Sequence, residues 1–136
     1  MTIRSIGAVA AGFFAVAIVS TLVDVVLHAT GVYPPWGVPI GDGLSALAAA
    51  YRVVITIAGG YLTARLAPNR PLAHAVALGI VGIVAATAGA AATWNVEPPL
   101  GPHWYPLALV VTALPCTWIG GRLGAEAESS APLAAR

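Results

Sequence analysis

Four long apolar stretches dominate the sequence, and they constrain the fold more than any other feature. They run from about residue 6 to 27, 44 to 66, 74 to 94 and 104 to 123. Each is close to the roughly 20 residues that an α-helix needs to cross a bilayer. Because an unsatisfied backbone group is costly in lipid, the stretches predict four transmembrane helices.

The composition supports a membrane protein and excludes several other classes. Hydrophobic residues make up 59% of the chain and charged residues 8%, against about 25% charged residues in an ordinary soluble domain. A net charge of +1 does not provide the basic face that a nucleic-acid-binding protein needs. The single cysteine excludes an internal disulfide and a cysteine-rich metal site. We therefore expect an integral membrane domain in contact with the lipid bilayer, with no nucleic-acid partner and no cofactor.

The arginines predict the orientation of the helices in the membrane. Arg4 precedes the first stretch, Arg65 and Arg70 flank the middle loop, and Arg122 and Arg136 follow the fourth stretch, whereas the other two loops contain no Lys or Arg. Since cytoplasmic loops carry the excess of positive charge, we expect both termini and the middle loop in the cytoplasm. Aromatic residues cluster at the opposite boundary, as in an interfacial belt: Tyr33, Trp36, Trp94, Trp104 and Tyr105.

The two halves of the chain share a sequence pattern. Pro34-Pro35-Trp36-Gly37 matches Pro98-Pro99-Leu100-Gly101, and Gly59-Gly60-Tyr61-Leu62 matches Gly120-Gly121-Arg122-Leu123. The matches favour two tandem helical hairpins, at residues 6–66 and 74–123, over chance similarity between short apolar segments. We predict an all-α, membrane-spanning antiparallel four-helix bundle over residues 1–123. The tail at residues 124–136 is rich in Ala, Ser and Glu, and we expect it to be disordered.

Small residues indicate where the helices pack, because helix association in lipid depends on close approach rather than on the hydrophobic effect. The glycine pairs in the second and fourth stretches lie inside helical patterns and belong to no nucleotide-binding motif. The predicted packing glycines are Gly59, Gly60, Gly82, Gly89, Gly120 and Gly121.

Two charges lie inside the predicted spans. Asp24 lies roughly 6 Å, and Arg52 roughly 12 Å, below the outer helix ends at 1.5 Å per residue. Charges at such depth usually face the bundle interior and pair, so we predict an ion pair between them. His28, one turn from Asp24, and Thr56, one turn from Arg52, extend this polar stripe. The pair either clamps the first two helices or forms a functional site for a proton, an ion or a small ligand. In a third interpretation, Arg52 extends to the lipid headgroups.

Other polar residues map to the outer loops. His28, His103, Glu97 and Asp42 are potential metal ligands, but their spacing matches no metal-binding motif. We therefore predict no metal site. Asp42 is well placed to cap the second helix.

Five segments resemble a group of small bacterial four-span integral membrane proteins of unknown function. They are DVVLH at 24–28, YPPW at 33–36, AYR at 50–52, GGYLTARLAP at 59–68 and GPHWYP at 101–106. The resemblance covers nearly the whole chain and implies a bacterial inner-membrane protein. It implies no activity, substrate or cofactor.

These patterns favour a non-enzymatic inner-membrane protein, acting as a binding or accessory subunit, with self-association or a larger membrane complex as expected partners. The alternative is a small transporter or channel with a polar track through Asp24, Arg52, Thr56 and His28. A metal- or haem-dependent membrane enzyme is the third class. If Asp24 and Arg52 are sealed from water with no cavity, transport through that track loses its basis. A water-filled passage from the outer loops to Thr63 would instead count against the accessory subunit.

Overall fold

The chain folds into four long α-helices joined by short loops. The computed structural model describes residues 2–130. Helix α1 spans Ile3–Ala29, α2 spans Asp42–Leu66, α3 spans Pro71–Thr93 and α4 spans Trp104–Ser129. All four are long and apolar enough to cross a membrane. The predicted all-α four-helix bundle is confirmed, and the chain is a multi-pass membrane protein.

Local chemistry fixes most helix ends. The Thr2 hydroxyl accepts a hydrogen bond from the Ser5 amide at 3.3 Å and caps α1. Pro71 starts α3, where a missing amide hydrogen costs nothing. The prediction that Asp42 caps α2 is wrong, because Gly41 is the capping residue and Asp42 already lies in the first turn. The Asp42 carboxylate instead accepts a hydrogen bond from the Trp104 indole at 2.7 Å and links α2 to α4.

Helix α4 continues past the predicted boundary at residue 123. The structure is helical as far as Ser129, where the sequence favoured disorder. Alanine and glutamate are good helix formers, and Arg122 pairs with Glu126 one turn later at 3.4 Å. Composition alone therefore misjudged residues 124–129. The rest of the predicted tail, residues 131–136, lies outside the described residues.

The helices form a ring in the order α1, α2, α4, α3. Helices α1 and α4 face each other diagonally and make no contact within residues 2–130, whereas α2 and α3 also touch across the ring. Consecutive helices are antiparallel, since Gly12 meets Thr63 and Val16 meets Gly59 one turn away. Helices α2 and α4 are parallel.

Glycines pack the bundle tightly at one end. We call this the arginine end, because Arg4, Arg65 and Arg70 lie there; the opposite Pro-Pro end carries the loops 30–41 and 94–103. A Cβ atom on Gly60 would lie 2.8 Å from the Thr117 Cα, and one on Gly120 would lie 2.7 Å from the Tyr61 amide nitrogen. Only glycine allows α2 and α4 to approach this closely.

The other predicted packing glycines differ in their contacts. A Cβ on Gly59 would collide with the Val16 side chain, and one on Gly121 with Ala75. Gly82 has only Ala113 nearby, at 3.4 Å, and Gly89 has nothing within 4 Å. The prediction that Gly89 packs is therefore wrong, because Gly89 is exposed and the next residue, Ala90, is the one that is buried. Thus the closest glycine contacts lie toward the arginine end.

Candidate ligand-binding site within the membrane

The predicted pairing of Asp24 and Arg52 is present in the structure. The Arg52 Nη2 atom lies 2.5 Å from the Asp24 Oδ2 atom. The two side chains are 26% and 20% exposed respectively, so the pair lies mostly inside the bundle. Arg52 is ten residues into α2, or roughly 15 Å from its start, and its side chain extends toward the Pro-Pro end to meet Asp24. The pair therefore fixes the register of α1 against α2.

Two tyrosines extend the ion pair toward the Pro-Pro end. The Tyr51 hydroxyl donates a hydrogen bond to Asp24 Oδ1. The Tyr33 hydroxyl lies 3.3 Å from the Tyr51 oxygen and 3.5 Å from the Leu44 carbonyl oxygen. The expectation that Tyr33 lies in an interfacial belt is wrong, since its side chain is buried. Its hydroxyl is instead the last group in the series of hydrogen bonds that begins at Asp24. Both carboxylate oxygens of Asp24 are thus occupied by donors.

His28 contributes little to the ion pair itself. Its Nδ1 atom lies 2.8 Å from the main-chain oxygen of Asp24, not from the carboxylate. The imidazole stacks on the Trp36 indole, with ring centroids 3.6 Å apart and an angle of 7° between the planes. His28 therefore anchors the loop between α1 and α2 to the end of α1.

A cavity of about 270 Å³ occupies the middle of the bundle. We call it the central cavity. All four helices contribute to it, and it extends from Arg52 toward Leu78 and Thr117, where the tight packing of the arginine end begins. Thr56, one turn below Arg52, lines it, as the predicted polar stripe requires. Most of the remaining lining is apolar.

A second cavity, of about 350 Å³, lies between Arg52 and the Pro-Pro end. We call it the loop cavity, since the segment from Pro99 to His103 forms much of its wall. Arg52, Ala86 and Leu109 line both cavities. The guanidinium group therefore lies where the two cavities meet.

Several buried polar atoms at these cavities lack a hydrogen-bond partner among residues 2–130. They include the Arg52 Nε atom, the Ser20 hydroxyl at the central cavity and the Ser45 hydroxyl at the loop cavity. Ser20 is 3% exposed and Ser45 is 0% exposed. A buried donor without a partner costs about 1–3 kcal/mol. These atoms have almost no accessible surface, so a ligand in the cavities does not reach them, whereas the Arg52 side chain as a whole is 26% exposed and lines both cavities.

The central cavity borders the bilayer between α1 and α3. Ala17 of α1 and Ala85 of α3 both line the cavity, and both are exposed on the outside of the bundle. The two helices approach each other near the arginine end, where Gly12 faces Leu78. Because Ala17 and Ala85 line the cavity and are both exposed, the cavity is open at this side of the bundle.

Sequence patterns identified part of this site. The depth of the charges and the helical period predicted that Asp24, Arg52 and Thr56 lie together. Tyr51 was not predicted, because it lies beside Arg52 in the chain and helical periodicity places neighbours on different faces. A long side chain can bend around its helix, and no signal in the sequence reports that.

The polar residues of the outer loops were considered as potential metal ligands. Within the described part of the chain, no three His, Cys, Asp or Glu side chains lie close enough to hold a metal ion. His103 bonds through Nε2 to the Trp94 carbonyl oxygen at 3.1 Å and stacks on the Trp94 ring.

No protein-family model, curated protein or solved structure matches the chain. The resemblance to bacterial four-span proteins therefore stays a prediction.

Proposed function

We propose that this chain is a non-enzymatic binding or accessory protein of the bacterial inner membrane that holds a small ligand in the central and loop cavities. Its termini lie in the cytoplasm, as the arginine distribution predicts. The observation that carries the proposal is the position of the partly exposed Arg52 side chain between two cavities whose walls are otherwise mostly apolar. The predicted partners, a second copy or a larger membrane complex, stay predictions.

The packing of the bundle supports a binding role over a purely structural clamp. A clamp needs only the Asp24–Arg52 contact and gives no reason for cavities beside it. At the arginine end, glycines allow the helix backbones to pack directly against each other. The chain is therefore able to form a closely packed bundle. Around Arg52, small residues such as Gly82 and Ala86 line the space instead, where larger apolar side chains would stabilise the fold by filling it.

We also propose that the two hairpins arose by duplication. Gly60 contacts Thr117, and Ile57 contacts Gly120. If the halves are aligned so that residue 60 matches 120 and residue 57 matches 117, each of these contacts becomes the other. A two-fold axis between α2 and α4, along the membrane normal, produces such an exchange. This alignment differs by one residue from the match between the Gly-Gly-x-Leu segments.

A small transporter is the second candidate, and one observation favours it. The cavities extend from the Pro-Pro end past Arg52 to Thr117, so they run through much of the bundle. The arginine end stays closed, because Gly12, Gly59 and Thr63 are in contact there. Transport requires this end to open, whereas binding does not.

Native mass spectrometry of the protein extracted from membranes tests the binding role. We expect the unaltered chain to carry a small molecule that the Ala86→Phe variant does not retain, because this phenyl ring fills the junction of the cavities. Ala88→Phe is the matched control, since Ala88 lies on the same helix, is exposed and lines neither cavity. Identical adducts on all three proteins would count against the proposal.

A distance measurement between spin labels separates the two candidates. Ile6 and Leu66 are exposed at the arginine ends of α1 and α2, and labels there report whether that end opens. A binding protein gives one narrow distance distribution in a bilayer. Two interconverting populations, shifted by the extracted ligand, would favour a transporter.

A further inference from the structure

The chemistry of the two cavities narrows the kind of ligand they accept, if the proposed binding role is correct. Arg52 is the only charged residue that lines either cavity within residues 2–130. Its charge is already balanced by Asp24, which lies behind it at 2.5 Å and accepts a second hydrogen bond from Tyr51. The site as a whole is therefore electrically neutral.

A neutral site inside a membrane disfavours a charged ligand of either sign. An anion at Arg52 would compete with Asp24 for the guanidinium and leave one negative charge uncompensated in a low-dielectric region. A cation would be repelled by Arg52. An uncharged ligand leaves the balance of the ion pair intact.

Arg52 defines the polar end of the ligand. Its side chain is 26% exposed and lines both cavities. A guanidinium group can only donate hydrogen bonds, and one of its donors already bonds to Asp24. The donors that remain fit an oxygen acceptor such as the carbonyl of an ester or a quinone.

The rest of the lining defines the body of the ligand. Phe13, Val16 and Leu78 line the central cavity below Arg52, and Leu109 lines the junction of the cavities. Together with the alanines of α3, they form an apolar wall. The opening between Ala17 and Ala85 leads to the bilayer, so the ligand enters from the lipid.

From this geometry we infer that the cavities bind an uncharged amphiphile, with a carbonyl-bearing end at Arg52 and an apolar body in the central cavity. The ligand reaches the site laterally between α1 and α3. Its polar oxygen accepts a hydrogen bond from the Arg52 guanidinium.

The test compares one acyl chain in two charge states, on the full-length protein in lipid nanodiscs. The compounds are a diazirine-labelled medium-chain fatty acid methyl ester and the same labelled chain as the free acid, ionised at pH 8. After photolysis, mass spectrometry maps the labelled residues. We expect the ester to label cavity residues of α1 and α3 with a yield about tenfold above that of the acid, equivalent to about 1.4 kcal/mol.

Two variants locate the labelling. Ala86→Phe is expected to abolish cavity labelling by the ester, whereas Ala88→Phe is expected to leave it unchanged. The ester-to-acid comparison uses the unaltered chain, so it decides the charge question even if Ala86→Phe does not fold.

Each contrary result overturns a different statement. If the acid labels the cavities as strongly as the ester, or more strongly, the inference of an uncharged ligand is wrong while the binding role stands. If neither compound labels cavity residues above the level of lipid-facing residues, both the inference and the proposed binding role are contradicted, as for cavities that hold only water.

Discussion

The ion pair between Asp24 and Arg52 predicts an asymmetric pattern of stability in a double-mutant cycle. Asp24→Asn keeps an oxygen that can accept the Tyr51 hydrogen bond but removes the charge facing Arg52. Arg52→Leu leaves the Asp24 carboxylate with the Tyr51 hydroxyl as a remaining donor. We therefore expect Asp24→Asn to be the more harmful substitution.

The expected loss in the free energy of unfolding depends on how far the ion pair is buried. Removing one partner of a fully buried pair costs about 3–5 kcal/mol. The side chains here are 20% and 26% exposed, which lowers the expected loss to about 2 kcal/mol for Arg52→Leu and about 3 kcal/mol for Asp24→Asn. The double substitution leaves no isolated charge, so we expect it to cost about 1 kcal/mol.

Reversible unfolding in mixed micelles with increasing fractions of SDS, followed by far-UV circular dichroism, measures these losses. The exposed contact between Asp42 and Trp104 provides a control cycle, with Asp42→Asn and Trp104→Phe, and should show coupling below about 1 kcal/mol. If the losses from Asp24→Asn and Arg52→Leu simply add in the double variant, direct pairing of these side chains is wrong.

Three further substitutions test the packing and the polar chain by the same unfolding assay. Gly60→Ala should destabilise the bundle by about 1–3 kcal/mol, since its Cβ would press on the Thr117 backbone. Gly89→Ala, where the Cβ meets no atom within 4 Å, should instead stabilise α3 by up to about 1 kcal/mol. Equal effects of the two substitutions would contradict the close packing of glycines at the arginine end. Tyr51→Phe should cost about 1 kcal/mol by removing a donor to Asp24, and no loss would show that the hydroxyl is not bonded there. Thr63→Val should stabilise the protein by about 1 kcal/mol, because it removes a buried hydroxyl without a partner in the described chain; a loss would reveal an acceptor for that hydroxyl.

The sequence predicted the helices and the ion pair because each depends on local information. Span length follows from the apolar run, and depth along a helix follows from the residue count. The meeting of Asp24 with Arg52 required only two adjacent helices and two charges at compatible depths.

The remaining features depend on how the helices cross, which periodicity does not fix. The first helix carries Gly12, which meets Thr63, while Gly89 on α3 meets nothing, although both are small residues in apolar helices. The closest backbone approaches lie at the arginine end, and the two cavities lie between Thr117 and the Pro-Pro end. Helical periodicity indicates neither the cavities nor the burial of Tyr33.

The most direct test of the account measures which residues can be reached by water from the Pro-Pro end. In a Cys116→Ala background, single cysteines at Leu109, Val111 and Thr63 are treated with an uncharged, membrane-impermeant methanethiosulfonate that carries a sugar group. Leu109 lines both cavities, Val111 is exposed toward lipid at a similar depth, and Thr63 lies in the packed arginine end.

Leu100 and His103 line the loop cavity and are exposed at the Pro-Pro end, so we propose that this cavity opens to the outer solution and expect Leu109→Cys to react when the reagent is applied to the outside of spheroplasts. Val111→Cys and Thr63→Cys should stay unreactive from either side of the membrane. If Leu109→Cys is unreactive from the outside, or reacts only from the cytoplasmic side, the proposed opening of the cavities at the outer end of the bundle is contradicted.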